Sequence, residues 1–93
     1  MIIISGKAAR DLTTWIDTVA KENSVAAEQF LFRVRRSLQM IDEHPEIGHR
    51  HPRRKVRYVV EPPLKIFYVT GSESIQILRF WHSARNPKSI RYK

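Results

Sequence analysis

Two runs of apolar residues at helical spacing, divided by a short link around Asn23 and Ser24, constrain this chain more than any other feature. In the first, Ala8, Leu12, Trp15, Ile16 and Val19 line one face of an α-helix over 8–20, with Lys7, Asp11, Asp17 and Lys21 mostly off it. Ser5 offers an N-cap. Asn23 is expected to stop the helix in the left-handed conformation, and Ser24 to cap the next one. The second run, Ala27, Phe30, Leu31, Val34, Leu38 and Ile41, continues to His44-Pro45, where the proline disfavours helix for the residue before it. So short a link leaves an antiparallel helix hairpin as the arrangement that buries both apolar faces.

The rest of the chain reads as strands. Met1–Ile4 is a β-branched run, an edge or buried strand. Pro45-Glu46-Ile47-Gly48 is turn chemistry, and the basic, proline-broken stretch 49–54 reads as a loop or the start of a strand. Strands follow at Arg57–Val60, Leu64–Val69 and Ser74–Trp81, joined by Glu61-Pro62-Pro63 and Thr70-Gly71-Ser72-Glu73. Strands this close together form an antiparallel meander. The expected fold class is α+β, in the order β-α-α-β-β-β, with the helix hairpin on one face of a small, mainly antiparallel sheet. The polar tail 83–93, which contains Asn86-Pro87, is expected to be loosely held, leaving the other sheet face uncovered.

Size sets the frame: 93 residues make one expected domain, 1–93, with a small core. Apolar residues are 42% and charged residues 28%, the balance of a folded globular chain. No apolar run approaches the length that crosses a bilayer, and Met1–Ile4 lacks the features of a signal peptide. With no cysteine, neither a disulfide framework nor a thiolate metal site is available. The expected location is the cytoplasm, with no membrane partner.

Charge then narrows the function. The net charge is +8, but residues 1–47 carry six basic and seven acidic side chains, whereas residues 48–93 carry eleven basic and only Glu61 and Glu73 as acids. Such asymmetry points to a polyanionic partner, whether RNA, DNA or an acidic protein. Strand alternation places Leu64, Ile66 and Tyr68 on one face and Lys65, Phe67 and Val69 on the other. In the last strand it groups Leu78, Phe80 and His82 against Ile75, Ile77, Arg79 and Trp81. Lys65 and Arg79, the only charges within these two strands, are expected on the solvated face. Arg57, Tyr58 and the loop cations Arg50, Arg53, Arg54 and Lys55 could line the same concavity. Cations pair with phosphates and rings stack on bases, so a nucleic-acid-binding module with no toxic activity is one reading. Core packing accounts for Trp15 and Phe30, and for at least one of Phe67 and Phe80.

Other chemistry is sparse. His44, His49 and His51 lie at a helix end and in a loop, without a helical histidine pair, and do not make a metal site. His82 ends a strand near Arg79 and Arg85, where cations would favour its neutral form and a role as a base; a purely local hydrogen bond is the competing reading. No glycine-rich phosphate loop and no nucleophile context occur, and no cofactor is expected.

Taken in order, Ala8…Asp11-Leu12…Ile16, Ala26-Ala27…Phe30, Pro45…Gly48, Leu64-Lys65-Ile66-Phe67-Tyr68 and Ile77-Leu78-Arg79-Phe80-Trp81-His82…Ala84-Arg85 resemble the pattern of the RelE/ParE toxin superfamily over about Ser5 to Arg85. The resemblance implies a growth-inhibiting toxin of a type II toxin–antitoxin system, held in check by a cognate antitoxin that wraps the hairpin and the sheet. Operator DNA would be reached only through that antitoxin. RelE-like members cleave mRNA on the ribosome without a metal, and on that reading Lys65, Arg79 and His82 are the catalytic candidates. ParE-like members act on DNA gyrase and are not nucleases. The His82-x-Ala84-Arg85 ending is common among ParE-like and unassigned members, Lys65 stands where the family usually has arginine, and no tyrosine follows His82. ParE-like action is therefore the favoured expectation, with Arg53, Arg54, Lys55, Arg57 and Arg85 as candidate residues for binding the target or nucleic acid.

Overall fold

The computed structural model describes residues 1–52 and 54–92. Strand β1 (Ile2–Ile4) leads into helices α1 (Gly6–Glu22) and α2 (Ser24–Glu43), then a 3-10 turn at Pro45–Ile47. Strands β2 (His49–Arg50), β3 (Arg57–Glu61), β4 (Leu64–Thr70) and β5 (Ile75–His82) follow, and a 3-10 turn at Pro87–Ser89 interrupts the tail. The sheet order is β1-β5-β4-β3-β2; β1 runs parallel to β5 and every other pair is antiparallel. The α+β expectation holds, with β2 as an added strand: two polar residues carry no periodic signal of their own.

The helix boundaries follow from their caps. Ser5 Oγ accepts from the Ala8 N–H at 3.0 Å and donates to Leu78 O at 3.0 Å, so one hydroxyl starts α1 and ties it to β5. The link between the helices differs from expectation. Asn23 is extended (φ −159°, ψ 103°) rather than left-handed, and its own Oδ1 accepts from the Ala26 N–H at 3.0 Å. Asn23, not Ser24, is therefore the N-cap of α2, and its side-chain amide does the work expected of the serine hydroxyl.

The hairpin packs on one sheet face, the helix side. There Phe30, Val34 and Ile41 meet Val59, Leu64, Ile66, Tyr68, Ile75, Ile77 and Phe80 in one buried cluster, with Leu12 and Trp15 at its margin. The expected parity of β5 fails at its middle. Phe67 pairs with Arg79, but Tyr68 pairs with Ile77, so Leu78 is an extra residue opposite β4. That bulge shifts alternation by one. Ile75 and Ile77, expected beside Arg79 and Trp81, instead enter the helix-side core, and Leu78 packs on the other side.

The other face is not bare. Val56, Phe67 and Trp81 form a second buried cluster, and Ile90 and Tyr92 of the tail pack against it. The Tyr92 ring lies 6.0 Å from that of Phe67, and Arg79 Nη1 donates to Arg91 O at 2.8 Å. The tail, expected to be loose, is held on this tail side because it carries the two apolar groups that cover the second cluster. Phe67 and Phe80 are both core residues, on opposite sides of the sheet.

Candidate functional site

Tail-side cations sit on aromatic rings. Lys65 Nζ lies 5.0 Å from the centre of the Tyr58 ring, and the Arg54 guanidinium 5.4 Å from that of Tyr92. Two guanidiniums share Trp81: Arg79 at 5.0 Å and Arg85 at 3.9 Å. Each such contact stabilises by about 0.5–1 kcal/mol at an exposed position, and here it also fixes where long side chains point. Because Trp81 is only 2% exposed, its ring is a rigid base for Arg85, which is itself exposed.

Arg79 is less free than strand position suggests. Its Nε and Nη2 donate to the two carboxylate oxygens of Asp11 at 2.7 and 2.9 Å, and the side chains are 12% and 14% exposed. These hydrogen bonds push the guanidinium further above its usual value, against the opposing effect of burial. Asp11 also accepts from the Phe80 N–H at 3.2 Å, on the edge of β5 beyond its pairing with β1. One carboxylate thus joins α1 to the last strand. Asp11, expected mostly off the packed face, stands three residues after Ala8 and four before Trp15, a spacing that belongs to that face.

His82 belongs to the helix side. Its ring centre lies 5.3 Å from that of Trp15, and its Nδ1 accepts from the Ala84 N–H at 3.0 Å. The local hydrogen bond weighed as an alternative for this histidine is therefore present. Lys65 pairs in register with Trp81 and faces the tail side. Lys65 and Arg79 thus flank Trp81 on the tail side, whereas His82 lies on the opposite side of the sheet.

The loop cations divide as well. Arg50, Lys55 and Arg57 line a hollow of about 310 Å³ at the β2 end of the sheet, whereas Arg54 joins the tail around Tyr92. Arg53 lies outside the described residues. Arg57 Nη1 donates to Glu46 O and Gly48 O at 3.1 and 3.0 Å, so part of its guanidinium secures the turn before β2. Tyr68 reinforces the same turn: its hydroxyl donates to Pro45 O at 2.7 Å and accepts from the Gly48 N–H at 2.9 Å. Burial pushes the Tyr68 phenol above its usual range, against the opposing pull of the Gly48 N–H and Arg57.

Among the described residues no group of three or more His, Cys, Asp or Glu could hold a metal ion, and no helix is long and apolar enough to cross a membrane. A cleft of about 400 Å³ opens between α1 and the end of β5, lined by Thr14, Trp15, Phe80, His82 and Arg85 among others.

Known proteins resemble this chain in sequence and in fold. The family model described as "ParE toxin of type II toxin-antitoxin system, parDE" matches residues 2–87. The Caulobacter vibrioides protein named Toxin RelE2 is 27% identical over 84 residues, which span 90% of this chain and 96% of that protein. A solved structure described as the chromosomal ParDE TA system from P. aeruginosa superposes with a TM-score of 0.64 at 22% identity, covering 87% of this chain and 92% of the other. At that identity the likeness is one of fold.

Proposed function

From its place in the ParE toxin family of type II toxin–antitoxin systems, to which the chain belongs, we propose that it acts as a protein-binding poison of DNA gyrase rather than as a nuclease. The observation that carries this reading is the separation of His82 from Lys65 and Arg79 by the sheet. Metal-free cleavage of RNA needs a base and cations gathered around one phosphate. Here Lys65 is on the tail side, His82 is against Trp15 on the helix side, and Arg79 is paired with Asp11.

The tail side suits a protein target. Arginine and tyrosine are among the residues most often dominant in protein interfaces, and Arg54, Arg85 and Tyr92 occur on this side, with Arg85 resting on the buried Trp81. A cognate antitoxin completes the system, and the chain reaches operator DNA only through it. The name of the 27% identical relative, Toxin RelE2, favours a second reading, ribosome-dependent cleavage of mRNA.

Induction of the chain in bacterial cells separates the two. The gyrase reading expects growth arrest with a DNA damage response and intact mRNA. Cleavage of mRNA at ribosomal positions without DNA damage would overturn it in favour of the second.

A further inference from the structure

At the β2 end of the sheet the strand pairing sets two like charges against each other. Arg50 pairs in register with Arg57, so two guanidiniums start from directly opposite positions on neighbouring strands. Like charges so placed weaken a strand pair, and β2, two residues long at the sheet edge, has little pairing to offset them. Lys55 adds to the charge: the His51 N–H donates to Val56 O at 2.8 Å, which closes the intervening loop and returns it beside β2. Arg50, Lys55, Val56, Arg57, Tyr68 and Thr70 line the resulting hollow of about 310 Å³, and none of them is acidic. Its cations take part in no ion pair among the described residues.

Arg57 is held without being neutralised. Its Nη1 donates to Glu46 O and Gly48 O, which are uncharged carbonyls. The guanidinium is therefore placed in advance with its charge uncompensated, and little side-chain freedom is lost when an anion arrives. Folding alone does not favour this arrangement; an anion between the cations removes the repulsion, and local conflict of this kind marks a functional position.

We propose that this hollow is a phosphate-binding site that takes one phosphodiester group of duplex DNA. Its cations come from β2, the loop and β3, and Thr70 of β4, which carries a hydroxyl, lines it as well. Donors arriving from several segments suit the several oxygens of a phosphate better than the two of a planar carboxylate. Beside an edge strand, a nucleic-acid backbone can run past the hollow without entering the fold. The choice of DNA rests on the gyrase reading, since a protein that acts on gyrase meets the DNA that the enzyme holds. A backbone contact carries no sequence information, so operator recognition stays with the antitoxin. The hollow is separate from the cations on Trp81, which leaves one surface for the protein target and one for its DNA.

The test measures binding of the full chain to a DNA duplex of about 20 base pairs by fluorescence anisotropy at several salt concentrations, and follows backbone amide signals by NMR. Inorganic phosphate, an RNA duplex of the same length and a glutamate-rich peptide are titrated in parallel. The DNA is expected to bind with shifts centred on Arg50, Lys55, Arg57 and Thr70, and inorganic phosphate to move the same signals more weakly. Arg50→Gln and Lys55→Gln, both at exposed positions, should each weaken DNA binding several-fold and reduce the salt slope by about one. Arg50→Gln should melt no lower than the unmodified chain, because the repulsion of Arg57 is gone. Arg35→Gln removes the same charge from an exposed position on α2 and should change the affinity by less than about twofold. Equal weakening by Arg35→Gln, a lower melting temperature of Arg50→Gln, or DNA-induced shifts that miss 50–57 would overturn the proposal. So would tighter binding of the RNA or the peptide, or a response to phosphate with no binding of the duplex. In a supercoiling assay, Arg50→Gln and Lys55→Gln should inhibit gyrase several-fold less than the unmodified chain, and undiminished inhibition by both would also overturn the proposal. If the unmodified chain leaves gyrase unaffected, the gyrase reading fails, and the duplex titration still judges the hollow.

Discussion

The two sides of the sheet divide the molecule's labour. The helix side is almost uniformly apolar: Ile66, Tyr68 and Ile77 are fully buried there, against Val34 and Ile41 of α2. The tail side has a small buried cluster, Val56, Phe67 and Trp81, overlaid by cations that rest on rings. Burial on the first side supplies most of the folding free energy, at roughly 25 cal/mol per Å² of apolar surface removed from water. The second side buries less and orients more. Its arginines are held by Trp81, Asp11 and Tyr92 rather than left to sample many rotamers, which lowers the entropy lost on binding a partner.

Substitutions can break that division. The largest loss is expected from Ile77→Ala, which empties a fully buried position in the helix-side core: about 2–5 kcal/mol of unfolding free energy, read from urea denaturation. An effect below about 1 kcal/mol would mean that the helix side is not the stabilising one. Next comes Gly48→Ala. The glycine has ordinary dihedrals (φ −70°, ψ 152°), but an added Cβ would lie 2.5 Å from the Tyr68 hydroxyl oxygen and 3.0 Å from Arg57 Cβ. Displacing Tyr68 from Pro45 O and the Gly48 N–H is expected to cost about 1–3 kcal/mol.

Asp11→Asn sharpens the comparison at the seam. It should cost about 1–3 kcal/mol, because the partly buried Arg79 loses its counter-charge. Toxicity of this variant should survive wherever the protein still folds, whereas Arg79→Ala should lower both stability and toxicity. Equal toxicity of the two variants at equal stability would show that Arg79 acts only as a structural residue.

The smallest effect is a pH dependence. Burial raises the pKa values of Tyr68 and Tyr92 above their ordinary 10.0. The folded state therefore keeps these protons at pH values where the unfolded chain has released them. Their contribution is fully present below about pH 10 and is lost as pH rises through the higher folded values. The melting temperature should fall above pH 10, and more shallowly in Tyr68→Phe, although that variant starts lower through its missing hydrogen bonds.

Much of the helix side was legible in the sequence, because periodicity reports burial directly. Ala27, Phe30, Val34 and Ile41 were each read from spacing, and each is buried. The strands were legible to within a residue or two for the same reason. What escaped was whatever depends on a single extra or displaced residue. The bulge at Leu78 reversed the faces of Ile75 and Ile77, since alternation carries no mark of an insertion. The Asp11–Arg79 pair joins positions 68 residues apart, and local pattern does not extend that far. The packing of Ile90 and Tyr92 was hidden because a polar, proline-containing tail with two scattered apolar residues reads as unstructured. Of the site, an interleaving of cations and rings was expected around Lys65, Arg79 and Tyr58; its division between two sides of the sheet was not.

The most direct test of the account is a gyrase supercoiling and cleavage assay with the purified chain and its Arg85→Ala variant. Arg85 is exposed and its stacking on Trp81 stabilises only modestly, so its removal should lower the unfolding free energy by no more than about 1 kcal/mol. The account predicts that the chain inhibits supercoiling or traps cleaved DNA on gyrase, and that Arg85→Ala weakens this at least about tenfold. Unaltered gyrase activity, together with cleavage of ribosome-bound mRNA by the same preparation, would contradict it.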